Sequence, residues 1–217
     1  MKKRRNFRPE RKMKPVFLVF CEGETEEAYI NFLKQKYRLP IKIIPYTTGQ
    51  NISPLLIKKH VNRLQLDRRD AIATFIMYDL DVNDISEKIT ACKGSLNISS
   101  KPCIELWFLL HNVDQFAELS ATACIELLRN DVDWKNYKKG MFSIKQKQIL
   151  WDNRIIACQR AKALPEAANP SSAVYRLIEA MEKIMVEDHS RSKTPITANN
   201  LLDESPANVG RAVLKNT

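Results

Sequence analysis

The stretch PVFLVFCEGETEEAYI, Pro15 to Ile30, decides the fold. Its first half, Val16–Cys21, is an unbroken apolar run, the pattern of a strand covered on both faces. Its second half places Glu22, Glu24, Glu26 and Glu27 within six positions. Ala28, Tyr29, Phe32 and Leu33 follow at helical spacing. Thr25 is expected to cap that helix. A core strand running into an acidic turn and then a helix is the start of a β-α unit. It also raises a question of charge, because the whole chain carries a formal net charge of +10.

The alternation continues downstream. Ile41–Tyr46 reads as a second strand and TTGQN as a turn. A helix begins at Asn51 or Ser53 and runs to about Leu66. AIATFIMYD, Ala71–Asp79, is another apolar run ending in an acid, hence a central strand. Asp84 to Ala91 reads as a short helix and Ser95–Ser99 as a further strand. Strands alternating with helices over residues 15–100 predict an α/β fold with a parallel sheet flanked by helices. After Ser100 the pattern turns helical. Pro102–His111 reads as a helix with proline at its start. A helix capped by Ser120 follows, then a long one over Ile144–Leu164, then a last one over Ala173–Val186, capped by Asn169 or Ser171. The predicted organisation is a basic flexible arm (1–14), an α/β core (15–100), a helical extension continuous with it (101–187) and a polar tail (188–217).

Composition narrows the classes. A chain of 217 residues with 44% apolar content supports one domain or slightly more. No apolar run is long enough to span a bilayer, and no apolar segment of signal-peptide type follows the basic N-terminus. No membrane partner is therefore expected. The five cysteines are scattered, without a CxxC pair, which suits buried thiols in a reducing cytoplasm. The three histidines have no ligand spacing, which argues against zinc. Residues 1–14 and 135–162 each hold eight basic residues and one acid. Two basic blocks on a mildly acidic body point to a polyanion such as nucleic acid; a solvated tail and a charged helix face are the plainer alternative.

The acids then acquire a chemical reading. In a parallel sheet, functional groups gather at the carboxyl ends of strands. Glu22 ends one strand, and Asp79 and Asp81 end another in the sequence Asp-Leu-Asp. Asp79 and Asp81 share a side of an extended segment. Glu26, four residues after Glu22, can face the same edge. Carboxylates crowded there repel one another unless a hard cation such as Mg²⁺ or Mn²⁺ sits between them. Such an ion suits phosphoryl transfer. Glu24 and Glu27 are accounted for by the favourable field of a helix N-terminus. An Asp-x-Asp pair also occurs in haloacid-dehalogenase-like enzymes and glycosyltransferases. Asn83 in place of the usual Thr or Val, and a pair on the third strand instead of the first, fit the former poorly.

The order of motifs is similar to the Toprim pattern. CEGETEEAYI, DLD, KPCIELWFLLH and NPSSAVYRLIE together resemble the RloB-like (abortive-infection AbiLii) family over about residues 15–186. The sequence departs from that pattern at Lys101, Ile104 and Ser172, and keeps every acid. The resemblance implies a Toprim-like, divalent-metal-dependent nuclease in bacterial anti-phage defence, often encoded beside an ABC-type ATPase, with some relatives cutting RNA. It makes Glu22 a general acid/base or metal ligand, Asp79 and Asp81 metal ligands, and Glu26 a supporting or direct ligand. Glu105 belongs to the third motif, as a site carboxylate. His111, which closes that helix, reads as structural. Lys101 is a candidate phosphate contact. Lys145, Lys147, Arg154, Arg160 and Lys162, spread along one long helix, are candidates for gripping a nucleic-acid backbone. The rivals are a non-catalytic module bridging nucleic acid and an ATPase, and a phosphatase or nucleotidyl enzyme acting on small molecules.

Overall fold

The computed structural model describes residues 16–38, 42–47, 51–64, 71–80, 83–166 and 168–189. The expectations for the arm (1–14), for the tail beyond residue 189 and for Asp81 lie outside these residues.

Four strands, β1 (Val16–Cys21), β2 (Lys42–Thr47), β3 (Ile72–Met77) and β4 (Leu96–Asn97), form one sheet in the order β2-β1-β3-β4. All of its pairings are parallel. β1 sits between β2 and β3 and is buried along its whole length, as its unbroken apolar run requires. The side chains of β1 and β3 alternate between two layers. Phe17, Val19, Cys21, Ala73, Phe75 and Met77 join one core with α1 (Glu24–Tyr37) and the C-terminal helices. Leu18, Phe20, Ile76 and Tyr78 join a second core that includes Ile85, Ile89 and Cys92, beside α2 (Pro54–Arg63) and α3 (Asn83–Ala91). The result is a parallel sheet flanked by helices, consistent with the Toprim-like arrangement.

The connections set the position of the site. From β1 the chain moves outward to β2 through α1, and from β3 it moves outward the other way to β4 through α3. The direction of winding thus reverses between β1 and β3, and open α/β sheets bind their ligands in the crevice at that reversal. Glu22 follows β1 directly, and Asp79 comes two residues after β3.

The C-terminal helices are α4 (Ile104–Leu109), α5 (Ala121–Asn130), α6 (Ile144–Asp152), α7 (Arg154–Lys162) and α8 (Tyr175–His189). Ser53 and Ser120 cap α2 and α5 by accepting from the amides of Leu56 and Ala123. Other local expectations are corrected. Thr25 does not cap α1. Gly23 occupies that position in extended conformation, and the Thr25 hydroxyl accepts from the Gly140 amide at 3.0 Å. The expected single helix over 144–164 is two helices joined at Asn153, whose backbone leaves helical geometry at φ −94°, ψ 7°. Neither Asn169 nor Ser171 caps the last helix. Ser171–Ser172 form a short strand, β6, paired antiparallel with β5 (Ser100–Lys101). Pro102 does not open α4. It follows a cis peptide bond after β5, as Pro170 follows one before β6, and α4 starts at Ile104. None of the five cysteines forms a disulfide, and all five are buried. Among the described residues no helix is long and apolar enough to cross a membrane.

Candidate functional site

The site grows from the end of β1. The Glu22 amide donates to the Met77 carbonyl at 3.1 Å, which carries the β1–β3 pairing one step past the strands. The Glu22 carboxylate then accepts from the Asp79 amide at 3.0 Å through Oε2. One acid is therefore anchored to the backbone of the next, across 57 residues of sequence. Asp79 pairs in parallel with Ser100, and the Ser100 and Leu80 amides complete that short ladder. Ser100 leads through β5 and Pro102 to α4, whose first turn carries Glu105.

Glu26 approaches from the first turn of α1, and both Glu26 and Glu105 are buried. Gly23 lies close by: a Cβ built on it would sit in ordinary contact, 3.4 Å from a Glu26 oxygen. Burial raises the Glu26 pKa, and the neighbouring charges of Glu22 and Glu105 add to the effect. Asp79 is displaced further. Burial first, then Glu26, Glu105 and Glu22, push its pKa up to about 9. Two oxygens in this cluster, Asp79 Oδ1 and Glu105 Oε2, are buried and have no hydrogen-bond partner. Buried polar atoms are otherwise almost always satisfied.

The chain between α5 and α6 closes the rim. Tyr137, deep in the aromatic core with Phe108 and Trp134, donates its hydroxyl to Glu105 Oε1 at 3.0 Å. Lys139 Nζ lies 3.8 Å from the same oxygen, with 64% of its side chain exposed. Partial burial works against the Lys139 charge, but Glu105, Asp79 and Glu26 outweigh it and raise its pKa. Gly140 follows in the left-handed region, φ 73°, and packs against Glu24. The sequence placed Lys139 only in a basic block, gave Thr25 a capping role instead, and gave no sign of Tyr137 or Gly140. The sole local signal was a glycine ending a basic run, KNYKKG, and nothing in that run names its partner.

The carboxylates of Glu22, Glu26, Asp79 and Glu105 are hard oxygen donors, and the two unpartnered oxygens give them unused ligating capacity. The residues therefore fit a divalent cation of the Mg²⁺ or Mn²⁺ type. Among the described residues no three acidic, thiol or imidazole groups already form a ligand set.

His111 takes the structural role expected of it. It is buried, its Nδ1–H donates to the Trp107 carbonyl at 2.8 Å, and burial lowers its pKa to about 4.

All four anchoring segments, CEGETEE, the Asp79 strand end, KPCIEL and NPSS, thus meet around one strand reversal. The family described as RloB-like protein matches residues 17–181, a span that contains every one of them. The chain belongs to the RloB-like protein family. No curated protein and no solved structure matches it.

The basic candidates divide in this RloB-like chain. Lys101 lies in β5, one residue from the Asp79–Ser100 pairing and half-buried. Lys145 pairs with Asp133 at the start of α6. Lys147 is half-buried on the same helix. Arg154 lies 4.0 Å from the centre of the Trp151 ring and donates to Glu182 at 2.7 Å. Arg160 donates to Asp114 and to the Leu110 carbonyl, both at 2.9 Å. Because the helix is interrupted at Asn153, these cations do not share one continuous face. Arg154 and Arg160 tie helices together.

Proposed function

We propose that this RloB-like chain is a divalent-metal-dependent nuclease that works at the carboxylate cluster between β1 and β3. One observation carries the reading: Glu22, Glu26, Asp79 and Glu105 converge at the strand reversal with two buried oxygens left unpartnered. Glu22, Asp79 and Glu105, with Asp81 from the same Asp-x-Asp pair, would hold the cation. When bound, it supplies charge neutralisation at a phosphate and an acidified water.

The remaining steps belong to the chain. Asp79 must give up the proton that its raised pKa retains at neutral pH before it ligates. Glu22, anchored to the Asp79 amide, would accept a proton from the attacking water. Tyr137 fixes one oxygen of Glu105 and so leaves the other facing the cluster. Lys139, exposed at the rim, and Lys101, on β5, supply positive charge where a phosphodiester approaches. The basic blocks of the sequence draw the polyanion in.

The family resemblance adds a setting: anti-phage defence with an ABC-type ATPase partner. The test is incubation with tRNA, other RNA and DNA, with Mg²⁺ or Mn²⁺ and with the partner ATPase, against Glu22→Gln and Asp79→Asn. Metal-dependent cleavage lost in both variants is expected. Identical behaviour of wild type and variants on every substrate would sink the proposal. Salt-sensitive binding that survives loss of the acids would instead identify a bridging module.

A further inference from the structure

A cleft of ≈ 360 Å³ opens beside the backbone that follows Asp79. One wall is Leu80, the residue after Asp79, and the others come from the end of β4, the end of α7 and the start of α8. We propose that this cleft is a subsite for a single unpaired nucleotide flanking the bond to be cut. The base would lie on Tyr175, and the phosphate would lie between Lys162 and Arg176. This inference rests on nucleic acid being the substrate of the neighbouring cluster.

Four observations support it. The first is an unused donor: Ser99 lines the cleft, is 3% exposed, and its buried Oγ has no partner. A buried hydroxyl without a partner at the wall of a cleft is a place for a ligand acceptor. The second is the pairing of an aromatic face with cations. Lys162 Nζ and Arg176 Cζ stand 5.5 and 5.8 Å from the Tyr175 ring centroid. Stacking on an aromatic ring combined with phosphate-binding cations is how single strands are held without base pairing.

The third observation concerns how those cations are held now. Arg176 pairs with Glu166 and also donates to the Asn97 carbonyl at 3.3 Å, while Lys162 pairs with Glu179. The Glu166 side chain is 65% exposed, so a phosphate can replace it on the guanidinium while Asn97 keeps that group oriented. The fourth is continuity. The Leu80 amide donates to the Ser100 carbonyl, and Asp79 pairs with Ser100. The cleft and the carboxylates therefore hang on one stretch of backbone. A base must be splayed out of any helix to reach Tyr175, so the site selects single-stranded or unpaired positions.

The experiment is fluorescence anisotropy on the full chain without divalent metal. It uses a labelled single-stranded oligonucleotide, an equivalent duplex and a labelled mononucleotide. Tyr175→Ala is expected to weaken oligonucleotide binding roughly 5- to 100-fold, the range for loss of one stacked base. Tyr175→Phe is expected to keep it, and Glu166→Gln, which removes the competing carboxylate, to tighten it. A gain of affinity cannot come from misfolding. The proposal is overturned if Tyr175→Ala and Glu166→Gln both bind as wild type does. It is also overturned if duplex binds as well as single strand, or if only the mononucleotide binds. Cleavage with Mg²⁺ is scored separately. Cleavage with unaltered binding in the variants removes the subsite and leaves the nuclease reading standing. Tyr175-dependent binding without cleavage does the reverse.

Discussion

Asp79→Asn should make the metal-free protein more stable while abolishing its activity. The pKa of Asp79 is raised to about 9, with burial as the first cause and the neighbouring carboxylates as the next. In the unfolded chain an aspartate titrates near 3.9. Between those values the folded state holds a proton that the unfolded state has released. Stability from this group is thus fully present below about pH 4 and is lost as pH rises toward about 9. At pH 7 some three units of that window have been crossed. At about 1.4 kcal/mol per unit this sets a ceiling of about 4 kcal/mol. Asparagine mimics the protonated acid and removes the titration, so the variant should be the more stable one by up to that amount. The assay is urea denaturation in the presence of EDTA at several pH values from 5 to 8.5. The gap between variant and wild type should widen with pH by about 1.4 kcal/mol per unit or less. Adding Mn²⁺ should narrow it, because the cation stabilises only the protein that keeps the carboxylate. A variant that is less stable than wild type at neutral pH, or a gap that does not change with pH, would refute the electrostatic account of the site.

Two further outcomes test the rim. Tyr137→Phe removes the donor to Glu105 Oε1 and should cost about 1–3 kcal/mol of stability, the usual penalty for a buried group left without a partner; calorimetric unfolding measures it, and an unchanged melting temperature would show that the contact is idle. Gly140→Ala forces a Cβ into a left-handed position 3.3 Å from Glu24, which should cost about 1–2 kcal/mol. If Lys139 serves the phosphate, the same change should also raise KM more than it lowers kcat, and a loss confined to stability would separate the two roles.

Much of the α/β half was legible in the sequence because its signals are local. An unbroken six-residue apolar run such as Val16–Cys21, closed by a turn, has the length and pattern of a strand buried on both faces. A strand end followed by glycine and a first helical turn carries its acids to the carboxyl edge of the sheet. Glu22, Glu26 and Asp79 follow from that logic alone, and so do the caps Ser53 and Ser120. The motif around Glu105 showed a carboxylate in an apolar setting without saying which groups it faces.

What remained hidden depends on contacts between distant segments. Thr25 has the chemistry of a cap, but the Gly140 amide, 115 residues away, takes its hydroxyl. Pro102 and Ser171 have the look of helix-start residues, yet Ser171 pairs with Lys101 in a two-stranded ladder that joins the third and fourth motifs, and Pro102 follows that ladder before α4 begins. Lys139 reads as one lysine among many until the turn at Gly140 brings it to Glu105. The basic residues after 144 read as one face until Asn153 interrupts the helix and carboxylates claim Arg154 and Arg160. Periodicity and capping propensity act within a few residues and can be read along the chain. The partner of a buried charge is fixed only when the layers close, because burial makes an unpaired group costly and so selects whichever neighbour the packing supplies. The sequence by itself therefore determined where the acids would gather. The tertiary structure decided which of them are buried, which oxygens stay unpartnered, and which lysine stands over them.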